Sequence, residues 1–219
     1  MKYPNSKDWI LHALNLSIAC GERLALVGPS GCGKSSVAKA ILQLLPSGSR
    51  CEGELSVGGV QPQALNQVDL RRLRGEKVGL VFQDPMSRLN PLMKIGDHLI
   101  DTLLAHSPKK NLAHAIEEAE RLLVKVGINI DRFRSYPHQL SGGMRQRLSI
   151  AMALALKPKL LIADEPTTSL DVAIADQIMA ELTKLCEDNS TALMLITHDL
   201  ALAGRWCSRI AILYQGNIA

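Results

Sequence analysis

The chain has 219 residues, enough for one domain with a sizeable core. Hydrophobic residues at 47% and charged residues at 21% exclude a disordered or fibrous chain. A net charge of +4, only 3% aromatics and basic residues spread along the chain do not describe a nucleic-acid surface, which gathers Lys and Arg on one face beside stacking rings.

The opening residues, MKYPNSKDWI, lack the apolar stretch of a secretory leader. Ile150 to Leu156, the longest apolar run near the middle, is far short of the roughly 20 residues of a membrane helix. Action at a membrane would therefore be that of a peripheral subunit. Five scattered cysteines (Cys20, Cys32, Cys51, Cys186, Cys207) form no C-x-x-C pair and fit a reducing compartment.

Ile10 to Ala19 alternates loosely and runs into Cys20-Gly21-Glu22, a pattern that predicts a strand and a turn. Arg23 to Val27 is a short apolar run, suited to a buried central strand. A glycine-rich loop follows, then a helix over 36–45 that Pro46-Ser47-Gly48 stops. Further strands are predicted at Glu54–Val57 and Lys77–Phe82.

From about 87 to 157 the texture becomes helical. Leu112, Ala115, Ile116, Ala119, Leu122, Leu123 and Val126 share one stripe, expected to face a core. Strand signals return at Lys159–Ala163, Ala192–Thr197 and Arg209–Leu213, with helices predicted over 172–187 and 200–207. Strands alternating with helices predict an α/β fold: a mostly parallel central sheet, with the 87–157 stretch as an inserted helical subdomain.

Gly28-Pro29-Ser30-Gly31-Cys32-Gly33-Lys34-Ser35 matches G-x-x-x-x-G-K-[ST] between a predicted strand and a helix that carries Ser36 in its first turn. Glycines let successive N–H groups converge on phosphate oxygens at a helix N-terminus. Lys34 is then expected to reach the β- and γ-phosphates of a nucleoside triphosphate, and the Ser35 hydroxyl to ligate magnesium. ATP with Mg2+ is the expected ligand. Cys32 sits inside this loop, so its alkylation is expected to block nucleotide binding.

Leu160 to Glu165 is an apolar strand ending in two carboxylates. Ligands sit at the carboxyl ends of parallel strands, so Asp164 is expected to meet the magnesium held by Ser35. Glu165 would lie near the γ-phosphate as general base toward water. Ser141-Gly142-Gly143 opens another helix and makes a second anion-binding N-terminus. One nucleotide does not need two cradles from one chain, which suggests that the second serves a nucleotide on another subunit.

The combination GPSGCGKS, LSGGMRQR, LLIADEP and LITHD resembles the nucleotide-binding domain of ABC transporters along nearly the whole chain. The resemblance implies a P-loop fold with a RecA-like core, an antiparallel β-subdomain and the inserted helices. It implies that Gln83, in VFQDP, touches magnesium and the lytic water and answers to membrane subunits. By the same resemblance, Asp171 aligns two subunits, His198 contacts the γ-phosphate, and Ser141 and Gly143 complete the partner's site. Members usually begin with a further strand, upstream of an aromatic residue that stacks on adenine. Tyr3 lies about where that aromatic falls, with Trp9 the weaker candidate, and the chain stops soon after its last strand.

FQDPMSRLNPLMKIGDHL, YPHQLSGGMRQRLSIAMAL and ADEPTTSLDV are similar to ATPases of the oligopeptide, dipeptide and nickel importer group. That implies an ATP hydrolase at the cytoplasmic face of the membrane, powering solute uptake through separate permease subunits supplied by a solute-binding protein. Its partner would be a second ATPase subunit, a non-identical one in that group, or a second copy of this chain. The rival reading is a soluble ABC-type ATPase acting on nucleic acid or ribosomes. Against it, no long heptad insertion and no second ATPase domain is present.

Overall fold

The computed structural model describes residues 1–219 apart from 5, 86, 88, 108–110 and 169. Strands β1 (Arg23–Val27), β2 (Val78–Val81), β3 (Leu160–Asp164), β4 (Ala192–Thr197) and β5 (Arg209–Tyr214) form a parallel sheet in the order β2-β3-β4-β1-β5. A short β6 (Asn217–Ile218) returns antiparallel on β5. Both faces of the central strands are covered, which is why these segments read as unbroken apolar runs.

Alternate residues go to opposite layers. Leu24 and Leu26 of β1, Ile162 of β3 and Met194 and Ile196 of β4 pack with Val37, Ala38 and Ile41 of α1 (Lys34–Ile41). Leu161, Ala163, Leu193 and Leu195 enter the opposite cluster with Ile178, Met179 and Leu182 of α6 (Val172–Asp188). Each fully buried Leu or Ile contributes about 1.5–3 kcal/mol of transfer free energy. Ala25 and Val27 meet Ala203 of α7 (Leu200–Trp206).

A short α2 (Gln67–Arg72) precedes β2, and between β2 and β3 the chain passes through α3 (Ile95–His106), α4 (Leu112–Lys125) and α5 (Gly142–Leu154). Their apolar faces share a single core with the sheet: Leu99, Leu103, Ala119, Leu123 and Leu148 belong to the same cluster as Leu161 and Leu195. Arg147 pins α5 to its surroundings, bonding Glu181 at 2.7 Å and donating to the Val126 carbonyl at 3.0 Å. Of the stripe expected on α4, Leu112 departs; it stands exposed in the first turn.

Three local expectations are corrected. The segment at 10–19 and the one at 54–57 form no strands, because a strand needs a neighbour within about 4.8 Å. They line a cleft of about 1000 Å³, and among the described residues no ladder hydrogen bond crosses it. Among the described residues, antiparallel structure is limited to the β5–β6 pair and the single bridges Lys2–Arg50 and Val57–Val60. Helix α1 ends at Ile41 rather than 45, since Gln43 adopts a left-handed φ of 51°. The Arg74 guanidinium then donates to the carbonyls of Leu42 and Gln43, each at 2.8 Å, which supplies donors to two acceptors that the early stop leaves outside the helix.

Candidate nucleotide site

The loop from Gly28 to Gly33 joins the carboxyl end of β1 to the start of α1. Its course depends on two glycines in particular. A Cβ on Gly28 would stand 2.2 Å from the Leu213 carbonyl oxygen of β5. Gly33, the residue before α1, has φ 107°, a left-handed value that favours glycine. No side chain caps the first turn of α1, and uncapped N–H groups at a helix start attract anions.

Lys34 turns back under this loop. It is only 6% exposed, and its Nζ donates to the carbonyl oxygens of Gly28 at 2.8 Å and Pro29 at 3.0 Å. Burial without those acceptors would cost several kcal/mol. The ammonium is therefore held at the centre of the loop by acceptors that a phosphate could replace. Cys32 is half-buried in the same loop, its Sγ 2.8 Å from where a Gly28 Cβ would lie.

Two strands over, β3 ends in Asp164 and Glu165. The Ser35 side chain lies close enough to the Asp164 carboxylate to favour its charged form. Burial pushes the Asp164 carboxyl up, and Glu165 adds to the rise, while Ser35, Lys34 and Lys39 oppose it. A hydroxyl and a carboxylate are hard oxygen donors of the kind magnesium takes, with phosphate and water oxygens supplying the rest. Among the described residues no cluster of three or more His, Cys, Asp or Glu could hold a metal without such help.

Glu165 is held from three sides. Its backbone has φ 47°, unusual for a non-glycine residue, and its N–H donates to the Ile196 carbonyl at 2.9 Å. His198 Nδ1, just past the end of β4, stands 3.0 Å from Oε1, and the Thr168 hydroxyl donates to Oε2 at 2.8 Å. Burial alone would raise this carboxyl; the bonds from His198 and Thr168, with the charges of His198 and Lys34, outweigh it and hold it below its ordinary value. Lys34, Ser35, Asp164, Glu165 and His198 thus gather at the carboxyl ends of β1, β3 and β4.

Gln83 is exposed just past β2, where Val81 pairs with Ala163, so it stands one strand over from Asp164 at the same end of the sheet. Tyr3 is brought beside the loop from the N-terminus. Its hydroxyl is 3.0 Å from Ser36 Oγ, and its ring packs against the apolar cluster under α1.

Ser141 and Asp171 serve as helix caps. Ser141 Oγ accepts from the Met144 N–H at 3.3 Å, and Asp171 Oδ1 from the Ile174 N–H at 3.0 Å. The two helix starts adjoin, since a Cβ on Gly143 would lie 3.1 Å from Ile174 and one on Gly142 3.5 Å from Leu170. Among the described residues no hydrogen bond or ion pair joins Ser141, Gly142 or Gly143 to the loop at 28–35. Thr168 was missed in the sequence, where a second threonine after Glu-Pro-Thr carries no signal until the turn folds it back on Glu165.

A family model described as ABC transporter matches residues 11–168. The chain is 43% identical to the Escherichia coli (strain K12) oligopeptide transport ATP-binding protein OppD, over 98% of this chain and 64% of that one. It is 42% identical to the Bacillus subtilis (strain 168) dipeptide transport ATP-binding protein DppD, over 91% of this chain and 60% of that one. It therefore spans less than two thirds of the length of either relative. Among solved structures, the ATP-binding cassette MJ0796, a dimer in a post-hydrolysis state bound to ADP and Pi, superposes with a TM-score of 0.85 at 31% identity, covering 99% of this chain and 92% of that one. CbiO1 of Clostridium perfringens, part of the transporter complex cbiONQ, superposes with a TM-score of 0.82 at 27% identity, covering 100% of this chain and 84% of that one. The loop, the paired carboxylates and the matched length lead to one conclusion: the chain belongs to the ABC transporter family and has its ATPase fold.

Proposed function

We propose that this chain is the ATP-binding subunit of an importer for oligopeptides or dipeptides, hydrolysing ATP to drive uptake through separate membrane subunits. The observation that carries the reading is the gathering of Lys34, Ser35, Asp164, Glu165 and His198 at one end of the sheet. The solute class follows the printed names of the relatives.

In this reading the N–H groups at the start of α1 bind the phosphates of ATP. Lys34 gives up the carbonyls of Gly28 and Pro29 and donates to the β- and γ-phosphates instead. Ser35 and Asp164 are the residues that would hold magnesium, which supplies charge neutralisation to the phosphates when bound. Glu165 takes a proton from water as the water oxygen bonds to the γ-phosphorus and the bond to the ADP oxygen breaks. His198 steadies one oxygen of that carboxylate and faces the γ-phosphate, and Gln83 lines the same pocket from β2. Tyr3 stacks the adenine.

The site is half of a composite one. Ser141 and Gly143 stand apart from the loop of their own chain and present a second anion-binding helix start, so we assign them to the nucleotide of a second ATPase subunit. Asp171, at the adjoining start of α6, lies in that same contact. The dimeric state of the similar MJ0796 cassette supports this arrangement. No helix among the described residues is long and apolar enough to cross a membrane, so the proposed placement is peripheral, on the cytoplasmic face and against permease subunits.

Purification of the intact complex from its native cells, followed by identification of the copurifying membrane subunits and a peptide-uptake assay, tests the assignment. ATP-dependent peptide uptake is the expected result. Copurification with ribosomes or nucleic acid and no membrane subunit would contradict it.

A further inference from the structure

The Glu165 carboxylate uses one lone pair on each oxygen within its own chain. Oε1 faces His198 Nδ1 at 3.0 Å, and Oε2 accepts the Thr168 hydroxyl at 2.8 Å. A carboxylate has about four acceptor positions, so roughly two remain, and their direction is set by the groups that hold the other two. Either partner alone would leave the carboxylate able to swing about its last torsion, which is broad and roughly two-fold for Glu. Together they fix its plane.

The backbone turn does not require this hydroxyl. The Thr168 N–H already closes the turn on the Glu165 carbonyl at 3.3 Å, and the Leu170 N–H donates to the Thr167 carbonyl at 3.2 Å. Thr168 is exposed and belongs to no apolar cluster, so its side chain is not there to fill the core. What it does is bond one oxygen of the carboxylate that the proposed reaction uses.

We propose that Thr168 is a positioning residue for ATP hydrolysis, its hydroxyl fixing the plane of the Glu165 carboxylate so that an unused lone pair faces the lytic water. The inference rests on the reading of Glu165 as the base toward water. Thr168 touches neither nucleotide nor water. It acts through Glu165, and its contribution falls on the chemical step rather than on binding.

The test uses the intact transporter complex, with Thr168→Val, Thr168→Ser, Glu165→Gln and the unaltered chain assayed side by side for phosphate release across ATP concentrations. Valine keeps the shape and removes the donor; serine restores the donor. The expected result is a kcat about tenfold lower for Thr168→Val with KM for ATP within about twofold, and a Thr168→Ser variant within about twofold of the unaltered chain. An unchanged kcat in Thr168→Val overturns the proposal, and so does a Thr168→Ser variant as slow as the valine one. A loss expressed in KM instead of kcat overturns it as well. Normal turnover in Glu165→Gln marks a different failure: the assignment of Glu165 falls, and Thr168 falls with it.

Discussion

The Lys34 ammonium lies 2.8 Å from the carbonyl oxygen of Gly28, six residues back in the same loop, and 3.0 Å from that of Pro29. Both bonds tie the ammonium to the loop's own backbone, and phosphate oxygens would compete for the same donor. Replacing the lysine removes a cation from a nearly closed site and leaves the two carbonyls without their donor. Lys34→Ala is therefore expected to weaken ATP binding by more than about tenfold, since charge-assisted bonds are each worth about 1.5–3 kcal/mol. Titration with a fluorescent ATP analogue checks this; unchanged affinity would contradict the role given to Lys34.

Gly28 tests the backbone of the same loop. An added Cβ would meet the Leu213 carbonyl oxygen at 2.2 Å and Cys32 Sγ at 2.8 Å, and the carbonyl belongs to β5 and cannot move aside. Gly28→Ala should lower the melting temperature, by an overpacking cost of about 1–3 kcal/mol, and should reduce ATP affinity in parallel. Gly31, whose added Cβ would have nothing within 4 Å, is the control. Its φ of 80° still favours glycine, so Gly31→Asn should be tolerated much better than Gly28→Ala in thermal denaturation.

Cysteine labelling separates the surface from the core. Cys20 and Cys51 are exposed, Cys32 is half-buried in the loop and Cys186 is buried. With a maleimide at neutral pH, Cys20 and Cys51 should be modified and Cys186 spared, as peptide mass spectrometry would show. ATP should slow modification at Cys32, and modification there should block ATP binding. Equal labelling of Cys32 with and without saturating ATP would show that nucleotide does not cover the loop.

The buried thiols also give a pH dependence. Burial pushes Cys186 up from 9.0 to about 12, with Glu187 adding to the rise and Arg23 opposing it, and pushes Cys207 up to about 11. The folded chain keeps these protons where the unfolded chain has released them. Their contribution to stability is fully present below pH 9.0 and is lost as pH rises from there toward about 12. Urea midpoints should accordingly fall between about pH 8 and about pH 10.5, and fall less steeply in Cys186→Ala. Parallel slopes in the two proteins would contradict the assignment.

The parallel core was legible in the sequence because strands such as Ala192–Thr197, all six residues buried, can be built only from apolar runs, and the loop lies between two such signals. Asp164 and Glu165 were legible for the same reason: they are the first charges after the buried run Leu161–Ala163. Other features depend on partners remote in sequence. Nothing local shows that 10–19 and 54–57 lack a neighbour to pair with, or that Gln43 turns left-handed so that Arg74 can cap the helix 31 or 32 residues earlier. Thr168 is silent for a related reason, since its bond to Glu165 exists only once the turn is closed.

In the proposed function, Glu165 performs the chemistry at an ATP site whose loop belongs to this chain. The most direct measurement is single-turnover phosphate release by the intact complex carrying Glu165→Gln, with bound ATP measured in the same samples. Glutamine keeps the side chain's shape but cannot take a proton. Release should be slowed by about 100-fold or more with ATP still bound. Release at the unaltered rate would contradict it.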